Sequence, residues 1–283
     1  MMRKLGKKKV SWLAGLVSAC LLLLVGFNEH PPKQIEMTGM ISVAHRGASS
    51  YAPENTQAAF QKGLELGADF LECDVHLSKD GELIIMHDDK VDRTTNGAGF
   101  VKDYTLAELK ELDAGILFDA LFSGEKIMTL DELLDEFYGE IGLLIEIKKS
   151  NLYPGIEEKV VALLNKYEDV SGIIVQSFDI ESMRKLHSLL PELQIAILMK
   201  PSTLLPTSKR LEDLTSFATY INFNVSYINK RMVDRIHAYG GKVLVWSKKD
   251  QQLISKAFQY GVDGIITDFA QWPVEEPVFL ARQ

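Results

Sequence analysis

The chain has 283 residues, 46% hydrophobic and 25% charged, which allows a large core and argues against global disorder. Its formal net charge of −8 and pI near 5.4 lack the basic footprint of a nucleic-acid binder. The two cysteines, Cys20 and Cys73, have neither zinc-ligand spacing nor a shared disulfide setting.

Charge is unevenly placed. Arg3, Lys4, Lys7, Lys8 and Lys9 form a basic run (residues 1–9) with no acidic residue, so the remainder is more acidic than the whole. An acidic remainder suits metal cations better than anionic surfaces, and it serves solubility equally well. Residues 10–27, VSWLAGLVSACLLLLVGF, carry no charge and are long enough for a bilayer span. The preceding cations predict a cytoplasmic N-terminus and an extracytoplasmic remainder. An uncleaved transmembrane anchor is the preferred reading. A secretory signal segment gives the same topology, and Val17-Ser18-Ala19-Cys20 resembles a lipobox for lipidation at Cys20. Residues 28–40, with a Pro-Pro pair, read as a tether.

From residue 41 to 283 short apolar runs alternate with amphipathic stretches. Strands are predicted at Ile41–Ala44, Phe70–Val75, Leu143–Ile147, Ile173–Gln176, Ile195–Met199, Tyr220–Asn224, Lys242–Trp246 and Gly264–Thr267. Helices are predicted at Thr56–Leu66, Thr129–Tyr138, Gly155–Tyr167, Ile180–Leu189, Ser208–Phe217, Asn229–Tyr239 and Asp250–Tyr260, with Gly67, Gly240 and Gly261 as stops. This alternation predicts an α/β fold, a TIM (β/α)8 barrel. An open doubly wound sheet is disfavoured because no Gly-x-Gly-x-x-Gly turn follows a strand.

One region breaks the alternation. Asp80-Gly81 between apolar runs predicts a two-residue hairpin turn, which puts Lys79 opposite Glu82, Ile85 opposite His76 and His87 opposite Asp74. An insertion after strand two, about residues 78–128, follows from it. Glu72, Asp74 and His76 share one strand face, as do Glu146 and Lys148. The first strand ends in His45-Arg46-Gly47. Barrel strand ends form one rim, so the rim is expected to hold His45, Arg46, Glu72, Asp74, Glu146 and Lys148, with His87 delivered by the hairpin.

Three carboxylates without thiolates favour Ca²⁺ or Mg²⁺ over zinc. Arg46 and Lys148 suit a phosphate-bearing substrate, and two histidines suit a base and an acid on opposite sides of a phosphorus. Metal-assisted phosphodiester cleavage is the expected chemistry. His76 is expected to be structural, and His30, His187 and His237 carry no chemistry. Asn55 and Thr56 are read as helix caps. Trp246 suits core packing and substrate contact alike.

The stretches HRGASSYAPENTQAAF, GADFLECDVHLSKDGELIIMHDD, DRTTNGAG, LIEIK, QSF, VLVW and GVDGIITD together resemble the glycerophosphodiester phosphodiesterase family, from Ala44 to Asp268, with YAPENT and LYPGIEEK closest to Gram-positive versions. The resemblance implies a TIM barrel with an insertion after strand two, His45 and His87 as the catalytic pair, and Glu72, Asp74 and Glu146 as ligands of Ca²⁺ or Mg²⁺. It further implies phosphate contacts from Arg46 and Lys148 and an aromatic, Trp246, near the substrate. Hydrolysis of a small glycerophosphodiester to glycerol 3-phosphate and an alcohol is then expected. A phospholipase D-like enzyme, a teichoic-acid phosphodiesterase and a non-catalytic membrane-tethered binding module are the alternatives. Ser247-Lys248-Lys249-Asp250 stands where Thr-Val-Asn-Asp is commoner, which bears on head-group choice.

Overall fold

Eight strands pair side by side and in parallel until the last closes on the first. The computed structural model describes residues 39–200, 206–247 and 251–271. The strands are β1 (Ile41–Ala44), β2 (Phe70–Leu77), β4 (Gly142–Ile147), β5 (Ile173–Ser177), β6 (Gln194–Leu198), β7 (Tyr220–Asn224), β8 (Leu244–Ser247) and β9 (Gly264–Thr267), while β3 (Leu83–Ile85) is an antiparallel addition to β2. The order β1-β9-β8-β7-β6-β5-β4-β2, with β2 pairing β1, is a closed eight-stranded parallel barrel. It matches the expected TIM barrel.

The helices between strands are α1 (Gln57–Glu65), α2 (Leu106–Glu111), α3 (Leu130–Phe137), α4 (Ile156–Leu164), α5 (Ile180–Leu189), α6 (Ser208–Thr215), α7 (Lys230–Ala238) and α8 (Gln251–Tyr260). Local chemistry starts them. Thr105 with Glu108, and Thr129 with Glu132, form reciprocal capping boxes at α2 and α3, satisfying backbone donors that the helix itself leaves free. Gly67, Gly240 and Gly261 all take positive φ just past helix ends.

Strand alternation separates two cores. Outward residues such as Leu143, Ile145, Val175 and Ile195 pack with Phe60, Phe137, Leu186 and Val233 of the helices. Inward residues Ile41, Val43, Phe70, Leu144, Ile174, Tyr220, Leu244 and Ile266 fill the barrel floor. Each such side chain, fully buried, contributes about 1.5–3 kcal/mol by leaving water. Further along the same inward rows the residues turn polar: Glu72, Asp74, Glu146, Gln176 and Asn222 are all buried. Asn222 donates to Gln176 at 3.1 Å and accepts from the Leu244 amide at 3.1 Å, so this layer is hydrogen-bonded, not greasy.

The hairpin departs from expectation by one residue. Val75 pairs Ile85, His76 pairs Ile84 and Leu77 pairs Leu83. The loop holds three residues, Lys79, Asp80 and Gly81, because the Ser78 amide donates to Glu82 O and the Gly81 amide to Ser78 O, both at 3.0 Å. Ser78 Oγ adds a bond from the Glu82 amide and one to Asp80 Oδ1. Gly81 sits at φ +86°, the left-handed position that such a loop requires. Asp74 therefore faces Met86, whose amide donates to Asp74 O at 2.9 Å, and His87 is not its cross-strand partner.

The insertion that follows has its own small cluster of Ile84, Met86, Val91, Val101, Leu109, Ala114 and Ile127. The basic run, the apolar segment 10–27 and most of the tether lie outside the described residues, as do Lys248 to Asp250. Among the described residues no helix is long and apolar enough to cross a membrane.

Candidate active site

The register of β2 on β4 sets Asp74 directly beside Glu146, and alternation brings Glu72 to the same inward face. Ligand oxygens of Glu72, Asp74 and Glu146 all lie within 4.8 Å of one another. Three buried carboxylates so close repel each other. Burial and then the neighbouring carboxylates push Glu72 well above the usual carboxylate range, and burial, with Asp74, pushes Glu146 up to about 7 against the pull of Lys148. Burial acts on Asp74 in the same sense, but Lys148 and Arg46 outweigh it and hold Asp74 well below that range. Lys148 Nζ lies 2.7 Å from Glu146 Oε1 and 3.3 Å from Asp74 Oδ1.

The turn after β1 supplies the second cation. Arg46 and Gly47 both take positive φ, 58° and 74°. This kink aims the Arg46 amide at Glu72 Oε2, 2.8 Å away, and leaves the guanidinium Nε 3.6 Å from Asp74 Oδ2. The kink has no room for a side chain at 47, where a Cβ would meet the Ala59 carbonyl carbon at 2.5 Å. Asn55 is also left-handed, at φ 59°, and its amide donates to Arg46 O at 2.9 Å. Thr56 caps α1, as expected from the sequence. Asn55 does not: its side-chain amide donates to Asp74 Oδ2 at 2.9 Å. Among the described residues, the buried Asn55 Oδ1 accepts no hydrogen bond, while Asp74 Oδ1 meets only the Lys148 ammonium at 3.3 Å.

Both predicted histidines reach the barrel mouth. His45 Nδ1 lies 2.5 Å from Asp268 Oδ1, and His87 Nδ1 lies 2.7 Å from Asp88 Oδ1. A carboxylate only accepts, so each Nδ1 carries the proton and each neutral ring keeps Nε2 as acceptor. Burial lowers the pKa of both rings, against the pull of the aspartates. His45, Arg46, Ser49, Glu54, His87, Asp88, Arg93 and Asp268 line one open cleft of about 370 Å³. β3 ends at Ile85, the Met86 amide still donates to Asp74 O, and His87 just beyond lines this cleft despite the shifted register.

His76 serves the site from behind. Burial lowers it to about 4, so the ring is neutral near pH 7. Its Nε2 donates to His87 O at 3.2 Å, and its Nδ1 accepts from Tyr153 Oη at 3.0 Å. Trp246 lies on β8, two strands from β1, packed on the inner apolar layer, and its buried Nε1 has no partner among the described residues.

Sequence reasoning missed Glu54, Asn55, Asp88, Arg93 and Asp268. Each stands in a turn or just past a strand, where periodicity is silent. Asp88 follows His87 directly, and Asp268 ends the stretch GVDGIITD.

Known proteins resemble this chain over nearly the whole barrel. The sequence profile of the Glycerophosphoryl diester phosphodiesterase family matches residues 45–271. A glycerophosphodiester phosphodiesterase of Caldanaerobacter subterraneus is 42% identical over 231 residues, covering 80% of this chain and 93% of that one. One from Bacillus subtilis is 36% identical over 245 residues, covering 81% and 84%. The structure of an Oleispira antarctica phosphodiesterase in complex with the product sn-glycerol-3-phosphate superposes with a TM-score of 0.75 at 31% identity, covering 84% of this chain and 96% of that one. With these relatives and this barrel, the chain belongs to the glycerophosphodiester phosphodiesterase family and is a phosphoric diester hydrolase.

Proposed function

We propose that the chain cleaves glycerophosphodiesters to glycerol 3-phosphate and an alcohol, with a divalent cation and with His45 and His87 as its proton-transfer pair. One observation carries the reading. Two imidazoles, each bonded through Nδ1 to an aspartate, line a cleft with Arg46, whose amide and guanidinium lie against Glu72 and Asp74 of the buried carboxylate trio.

The residues suit a metal. Glu72, Asp74 and Glu146 are an all-oxygen donor set, and Asn55 Oδ1 beside them is a buried acceptor that has no hydrogen-bond donor among the described residues. Ca²⁺ or Mg²⁺ held by the trio would neutralise charge on the phosphate. Arg46 and Lys148 hold the non-bridging oxygens and stabilise the charge that builds on them. One imidazole takes a proton at Nε2 from the attacking hydroxyl. The other enters the cycle as the imidazolium, with Nε2 protonated as well as Nδ1, and gives the Nε2 proton to the leaving alkoxide. Trp246 flanks the organic part of the substrate, with its indole N–H free to donate. The product complex of the Oleispira antarctica relative supports glycerol 3-phosphate as the released ester.

The test is hydrolysis of glycerophosphocholine with EDTA, Ca²⁺ or Mg²⁺, following glycerol 3-phosphate. Release is expected only with metal, and His45→Ala or His87→Ala should each lower kcat by about 10²–10⁴. Full activity after exhaustive chelation, or in either histidine variant, overturns the scheme.

A further inference from the structure

A continuous run of ion pairs links Arg46 to His87, and its central member belongs to the insertion. Glu54 Oε1 accepts from Arg46 Nη1 at 2.8 Å and from Arg93 Nη2 at 2.7 Å. Glu54 Oε2 accepts from Arg93 Nη1 at 2.8 Å. Arg93 Nε then donates to Asp88 Oδ2 at 2.6 Å, and Asp88 Oδ1 meets His87 Nδ1 at 2.7 Å. Arg93 thus places three donors on two carboxylates, each of which grips a residue of the cleft. Only a planar guanidinium offers that fork, since a lysine ammonium is a point donor.

The arrangement is poorly explained as a stability device. The Arg93 side chain is 47% exposed, and exposed ion pairs add little to folding. What Arg93 does control is the rotation of the Asp88 carboxylate. With Oδ2 held by Arg93, Oδ1 is left to His87. Without Arg93, the Asp88 carboxylate is free to turn to solvent, and His87 loses the partner that selects its tautomer.

We propose that Arg93 is a positioning residue for the hydrolytic reaction, fixing Asp88 and through it the Nδ1–H tautomer and orientation of His87, while the same guanidinium holds Glu54 against Arg46. The inference rests on the reading of His87 as a proton-transfer group, although its structural half stands on geometry alone. The insertion, by this account, contributes more than His87 itself. It brings the clamp that locks the histidine to the barrel's own phosphate-binding turn.

The experiment separates the two halves. Long-range proton–nitrogen NMR of the histidine-labelled full chain reads the His87 tautomer, with His87 identified by its loss in His87→Gln. The parent should hold Nδ1–H, and Arg93→Ala and Arg93→Lys should give a mixture of tautomers. In the glycerophosphocholine assay Arg93→Ala should lose about tenfold or more in kcat with KM within about threefold. Added guanidinium should recover part of that loss, which methylammonium should not. A His87 that stays wholly Nδ1–H in both variants overturns the proposal, and so does a kcat loss that guanidinium leaves untouched. Should Arg93→Ala not fold, Arg93→Lys keeps the charge and carries the same readouts. If the tautomer mixes while His87→Gln retains full turnover, the positioning half holds and the reading of His87 as a proton-transfer group is the one that fails.

Discussion

The Nδ1 of His45 and the Oδ1 of Asp268 lie 2.5 Å apart although 223 positions separate them in the chain. The bond spans the seam where β9 meets β1, and the His45 amide donates to Thr267 O at 3.0 Å beside it. Asp268→Asn should therefore keep the fold and spoil the tautomer, because an asparagine can offer its amide N–H to Nδ1 in place of an acceptor. We expect a kcat lower by about 10²–10⁴ with KM little changed. Steady-state kinetics on glycerophosphocholine checks it, and parent-like turnover would show that His45 needs no orienting partner.

The crowded trio predicts an unusual pH dependence of stability. Glu146, pushed up to about 7, and Glu72, also raised, keep a proton in the folded protein that the unfolded chain has already released. A raised folded pKa contributes stability that is present at low pH and lost as pH rises through about 7. A cation held by these carboxylates would take the place of that proton. Thermal melts of chelated protein should thus fall in Tm from about pH 5 to about pH 8, and Ca²⁺ or Mg²⁺ should raise Tm more at the higher pH. Equal shifts at both ends would contradict the raised Glu72 and Glu146.

Asn55 tests the support of the proposed metal ligands. Its side-chain amide holds Asp74 Oδ2, and its own Oδ1 is buried without a donor. Asn55→Ala should weaken divalent-cation binding by about 10–100-fold, measured by titration calorimetry independently of turnover. Unchanged affinity would leave Asn55 as a backbone device only.

Gly47 tests the kink that aims Arg46. A methyl group there would sit 2.5 Å from the Ala59 carbonyl carbon, on a residue at φ +74°. The clash and the left-handed backbone together should cost about 2–4 kcal/mol. Denaturant melts of Gly47→Ala read the loss, and a cost below about 1 kcal/mol would mean that α1 moves aside easily.

The barrel strands were legible because buried parallel strands are short, Ile- and Val-rich runs, and their spacing leaves little choice of order. Glu72, Asp74, Glu146 and Lys148 could be placed from alternation alone, since their faces follow from strand parity. The hairpin could not. Asp80-Gly81 serves a two-residue or a three-residue loop, and what selects the longer one is the Ser78 hydroxyl bonding the Glu82 amide and Asp80. Asn55 was misread for a similar reason. A residue before a helix reads as a cap, and nothing in the local pattern tells that it sits at φ 59° and turns its amide to a strand carboxylate. Asp88 and Arg93 depend on loop paths through the insertion and Glu54 on the turn between β1 and α1, none of which has a period to read.

The closure of the barrel by its last strand orders the chemistry in time as well as in space. The carboxylate trio is complete once residue 146 has been made, and His87 already has Asp88 beside it. His45, near the start of the chain, must wait for Asp268 on the far side of β9. A chain cut short before β9 therefore contains the residues of the trio and His87 but lacks Asp268, the partner of His45. The pair that holds His45 is completed only once synthesis has passed β9.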